Sequence, residues 1–238
     1  MAKIVFDDED YKRVQQRLDA GLGMPRRVST LEIVAPKNVP MSITRNAGKT
    51  MWTAIACVAT INRVGEIDST ELFNNFVAYA NTRGEYPDLI FHHLWSGLPP
   101  VSRMTESQKY NVEMARREIA RLTNEPMANE MIVNGDKNHW QNFKLGKTTH
   151  VYRAGYTYVA TGEFDMQNPF AQMMASQLEI EQGYWGTSIG YKPIGEPTLV
   201  RNGKTAHSVA VYNNGINHEI SILPEQSAAS VFTQVKSN

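Results

Sequence analysis

The stretch KTTHVYRAGYTYVATGEFD, residues 147–165, sets β-branched and aromatic residues on both sides of Arg-Ala-Gly. Residues of that kind fit a pleated, half-buried surface, and a glycine between two such runs gives the backbone a tight reversal, so the stretch predicts a β-hairpin. An isolated hairpin is marginal in water. The chain must therefore supply further strands and something apolar for them to cover.

It does so in several places. TMWTAIACVATI, from Thr50, has the composition and length of a long strand, and YPDLIFHHLW is a short apolar run bounded by proline, predicting a buried strand that ends in two histidines. YWGTSIGYKP, PTLVRNGKTAHSVAVYNNG and NHEISILP read as further strands and a second hairpin, with Trp185 and Tyr191 as core aromatics and His207 at the surface. Cys57 lies inside the first of these runs and reads as a small core side chain.

Between the strands lie three amphipathic helices. Asp68 and Glu71 form a capping-box pattern ahead of an apolar face of Leu72, Phe73, Phe76, Val77 and Ala80, which ends near Gly84. Residues 104–124 place Val112, Ala115, Ile119 and Leu122 on one face and Arg116, Arg117 and Arg121 largely elsewhere. In the third, Asn168 caps, Pro169 takes the first helical position, and Phe170, Met174 and Leu178 follow at helical spacing. Ahead of all this, Tyr11, Val14 and Leu18 predict a short helix stopped at Gly21, followed by a proline-rich extended arm.

The expected fold is α+β: a mostly antiparallel, barrel-like sheet surrounded by helices. Residues 1–49 form an N-terminal helix and arm, and residues 50–238 form one domain with a helical insertion at about 104–140. Composition narrows the function. The 24 Lys and Arg balance 24 Asp and Glu, so no global field draws nucleic acid or anionic lipid. One cysteine forbids a disulfide framework and favours a reducing compartment. There is no signal peptide core and no apolar run long enough to span a bilayer.

Six histidines occur, at 92, 93, 139, 150, 207 and 218, without H-E-x-x-H or any Cys/His zinc spacing. On a strand, His92 and His93 point to opposite faces. Neither phosphate-binding glycine motif occurs, so no metal or cofactor is expected. What the chain does offer is acyl-transfer chemistry. Ser188 stands among glycines in QGYWGTSIGYKP, residues 182–193, and a serine hydroxyl attacks a carbonyl only when a histidine takes its proton. Glycines beside it permit close backbone approach and leave amide N–H groups for an oxyanion. By spacing alone, though, TSIG is not the G-x-S-x-G elbow, and the pattern equally marks a bend in a strand.

GTSIGY resembles the S-x-G-[FY] nucleophile motif of the prohead (capsid maturation) proteases of tailed bacteriophages, which share a fold with herpesvirus assemblins. Four further segments agree in order: GEIDSTELFNNF, YPDLIFHHLW, FKLGKTTHVYRAGYTYVATGEFD and HEISILPEQSAASVFT, so that the resemblance spans roughly residues 50–103 and 141–235. It implies a serine endopeptidase with Ser188 as nucleophile and His93 as base; His139, in NHWQNFKLGK, is the alternative base. Glu219 is the acidic candidate for a third member, with His218 and His150 as histidine candidates. The resemblance further implies action inside the procapsid, in the host cytoplasm, on scaffold and major capsid protein, with a homo-oligomer possible and neither membrane nor specific nucleic acid as partner. The competing expectation is a catalytically inactive, capsid-associated or scaffold-like structural protein with a protease-like fold.

Overall fold

The computed structural model describes residues 41–46, 49–95, 98–124, 142–181, 183–201 and 208–230. The expected N-terminal helix and most of the arm, and with them His139 and His207, lie outside the described residues. The end of the expected arm is a strand: β1 (Met41–Asn46) pairs antiparallel with β2 (Lys49–Val58).

The predicted hairpin is present as β5 (Lys144–Ala154) and β6 (Thr157–Phe164), reversing through Gly155 in the left-handed region. It sits in the middle of a seven-stranded sheet of order β1-β2-β6-β5-β4-β10-β7, with β4 (Asp88–Phe91), β7 (Trp185–Pro193) and β10 (Gly215–Pro224). Every neighbouring pair is antiparallel except β4 and β10, which run parallel. The sheet curls into a half-barrel, and the Thr187 hydroxyl on β7 donates to the Ile55 carbonyl on β2 at 2.7 Å. A second sheet joins β3 (Glu66–Asp68), β9 (Ser208–Tyr212) and β8 (Thr198–Arg201).

Three helices cover the sheet, numbered here in chain order. In α1 (Thr70–Arg83), Leu72, Phe73, Phe76 and Ala80 are buried as their spacing predicts. Its cap is Ser69, whose hydroxyl accepts from Leu72 N, rather than the expected Asp68. Asp68 ends β3 and instead accepts from the Tyr191 hydroxyl at 2.7 Å. Burial pushes the Asp68 carboxyl up from its ordinary value, against the hydrogen bond from Tyr191. In α2 (Glu106–Thr123), Thr105 and Gln108 form a capping box, and Val112, Ala115 and Ile119 are buried. Arg121 lies exposed off that apolar face, where it pairs with Glu118 and Glu181 and lies over the Tyr184 ring. In α3 (Pro169–Ile180), Asn168 caps, and Met174 and Leu178 are buried.

The core lies between these helices and the sheet. Trp52, Phe73, Leu89, Phe91, Tyr158, Trp185, Ile220 and Ile222 are essentially inaccessible to solvent. Among the described residues no helix is long and apolar enough to cross a membrane.

Candidate active site

Register determines which side chains share a surface. Residues directly opposite across an antiparallel pair face the same way, as do residues two apart along a strand. Ser188 on β7 is opposite Ser221 on β10, and Gly190 is opposite Glu219. Ser188, Gly190, Glu219 and Ser221 therefore occupy one face, while Ile220 and Ile222, on the other, enter the core. Gly190 is required for space: a Cβ built there collides with the Glu219 carboxylate.

His93 arrives from β4, which runs parallel to β10 on its other side. The strand ends at Phe91, so the histidines are not its last two residues as expected. They form a turn in which both adopt left-handed backbone, with φ of 50° for His92 and 58° for His93. Such geometry costs a non-glycine residue roughly 1–2 kcal/mol and needs external support. Support comes from β10: His92 N donates to Ile222 O at 3.0 Å, and His93 N donates to Ser221 Oγ at 2.7 Å.

The result is a closed ring of hydrogen bonds. Because Ser221 Oγ accepts from the His93 amide, its own proton is directed to Glu219 Oε2, 2.6 Å away. The other carboxylate oxygen, Oε1, faces His93 Nδ1 at 2.5 Å. An ionised carboxylate only accepts, so Nδ1 carries the proton, and Nε2 is the nitrogen left to act as a base. Burial pulls the His93 imidazole down, but the charge of Glu219 and its hydrogen bond outweigh this, and the net direction is upward. His92 goes the other way: buried against the edge of Phe91 and repelled by the charge on His93, it falls to about 3 and stays neutral near pH 7.

Ser188, His93 and Glu219 line one cavity of about 610 Å³. Ser188 is only 3% exposed and stands in the middle of a regular strand, not at the turn or bend its glycines suggested. Among the described residues no hydrogen bond occupies its hydroxyl. His218 is the extra residue of a β-bulge between Asn217 and Glu219; it is exposed, stacks parallel to Trp95 with ring centroids 6.2 Å apart, and also lines the cavity. His150 is exposed on β5, where its ring hydrogen-bonds its neighbour Thr149. Among the described residues no cluster of His, Cys, Asp and Glu could hold a metal.

Sequence reading missed Ser221. Its signal was available, because Glu219 and Ser221 are two apart in a predicted strand and must share a face. Neither a family model, nor a curated protein, nor a solved structure matches the chain.

Proposed function

We propose that the protein is a serine endopeptidase of the prohead-maturation kind, with the fold of that family and of the assemblins. The observation that carries the reading is the His93–Glu219 pair, fixed by Ser221 and sharing a cavity with Ser188. The ordered resemblance of five sequence segments points to the same three residues. In the reaction, Ser188 Oγ attacks the peptide carbonyl carbon as its proton passes to His93 Nε2. Glu219 stabilises the imidazolium through Nδ1. Collapse breaks the C–N bond, and the proton on Nε2 goes to the departing amine. Water then attacks the acyl-enzyme, giving a proton to Nε2 that returns to Ser188 as the ester breaks. Ser221 touches no reacting atom and acts as a positioning residue. No cofactor enters the scheme. The substrates are scaffold and major capsid protein inside the procapsid.

The test is co-expression of wild type, Ser188→Ala or His93→Ala with the cognate capsid and scaffold proteins. Cleavage by wild type alone supports the proposal. Intact substrates with wild type favour the inactive structural protein, and equal cleavage by Ser188→Ala overturns the proposal by removing Ser188 as the nucleophile.

A further inference from the structure

Three observations bear on what enters the cavity. The first concerns exposed apolar side chains. Eight large ones occur among the described residues, and three of them, Val64, Trp95 and Tyr110, line this one cavity although they come from three separate segments. Isolated exposed hydrophobes need no explanation, but a convergent group beside a reactive centre marks a binding surface.

The second is charge. Among the described residues that line the cavity, no side-chain charge is left without a counter-group to meet a charged substrate. Arg63 is spent on Glu225 and on the carbonyls of Glu225 and Ala228. Glu219 is held by His93 and Ser221. No lysine or aspartate is among the lining residues.

The third is how firmly the wall is held. Tyr110 lies on α2, the helical insertion, so that helix borders the cleft. Glu118, farther along it, accepts from the Tyr184 hydroxyl at 2.6 Å, and Arg121 makes two hydrogen bonds to Glu181. These contacts tie α2 to the turn that leads into β7, the strand carrying Ser188. In the same cavity, the β10 bulge turns His218 outward to stack on Trp95. A cleft of this size, in which exposed hydrophobes converge and the polar lining of Ser107, Gln108, Asn111, Gln226 and Ser227 is uncharged, suits an uncharged side chain.

From this we infer that the substrate is an extended polypeptide presenting a bulky, uncharged apolar side chain within three residues of the cleaved bond, received between Trp95 and Tyr110. The inference rests on the protease reading above and narrows it to a substrate class. The insertion thereby becomes a specificity element.

The test uses full-length protein and a proteome-derived peptide library with blocked amines, the new termini being identified by mass spectrometry. Leu, Ile, Met, Phe, Trp or Tyr should be enriched at one fixed position among the three on either side of the cut. A peptide chosen from the cut set is then compared with its alanine counterpart at that position. The preference for the apolar residue should exceed about 10-fold in kcat/KM, the order of magnitude a hydrophobic pocket contributes. Trp95→Ala and Tyr110→Ala should each reduce that ratio several-fold, mainly through KM, and Trp95→Phe should restore most of it. Enrichment of only acidic or only basic residues overturns the inference while leaving the protease reading intact. So does a preference ratio unchanged in both alanine variants. If wild type cuts no peptide, both the protease reading and this inference fall.

Discussion

The Nδ1 nitrogen of His93 and the Oε1 oxygen of Glu219 lie 2.5 Å apart, and the carboxylate belongs to a side chain almost wholly removed from solvent. Glu219→Gln removes the charge that offsets burial, and the amide can present an N–H to Nδ1, favouring the wrong tautomer. Activity should fall by about 10²–10⁴-fold. In wild type the acid limb of kcat/KM against pH lies above the ordinary imidazole value, because only neutral His93 accepts the serine proton. In Glu219→Gln the limb moves to lower pH. Kinetics across pH, with an NMR titration of the His93 ring, test both statements.

Gly190→Ala puts a methyl group where the Glu219 carboxylate lies. The carboxylate must move, since the β7 and β10 backbones are fixed by their ladder. The expected result is a loss of about 10²-fold in kcat/KM, in keeping with the cost of misplacing a catalytic group by about 1 Å, and a lowered His93 titration point. Unchanged titration in a folded variant would show that this packing does not hold the acid in place.

Ser221→Ala deletes a hydroxyl with no solvent exposure and strands both the His93 amide and Glu219 Oε2. Leaving buried polar groups unsatisfied costs about 1–3 kcal/mol each. A drop of about 2–4 kcal/mol in unfolding free energy by urea titration is expected. The turn should also loosen, lowering kcat more than it raises KM.

The contrast between what the sequence made legible and what it did not is sharpest at this turn. The hairpin about Gly155, the apolar faces of all three helices and the cap at Asn168 follow from period and local chemistry, and all are present. Ser188, His93 and Glu219 were brought together only by a resemblance, since they come from β7, the turn after β4, and β10, whose pairing is nonlocal. The left-handed pair His92–His93 was invisible to pattern because the YPDLIF run continues smoothly into it, while hydrogen bonds from β10, distant in sequence, support it. Asp68 and Ser69 both suit a helix cap; Tyr191, distant in sequence, engages Asp68 and leaves the cap to Ser69.

His92 makes a separate prediction for stability. Its imidazole falls from an ordinary value of 6.5 to about 3 on folding, so the unfolded chain binds the extra proton first, and stability is lost as pH drops below 6.5. The slope approaches about 1.4 kcal/mol per pH unit from this one group. His93 has the opposite sign: its raised value contributes stability that is full below the ordinary imidazole range and lost as pH rises through the folded value. His92→Asn, which tolerates left-handed backbone, should flatten the acid side of the curve of urea midpoint against pH. Glu219→Gln should flatten the side above the ordinary imidazole range.

The central claim is that Ser188 is a nucleophile activated by His93, and covalent labelling tests it most directly. The full-length protein is treated with a fluorophosphonate near pH 8 and its peptides are sequenced by mass spectrometry. The account predicts a single phosphonyl adduct on Ser188, formed by loss of fluoride, and strongly slowed in His93→Ala and Glu219→Gln. No adduct on Ser188, or one that forms at the same rate in His93→Ala, would contradict it.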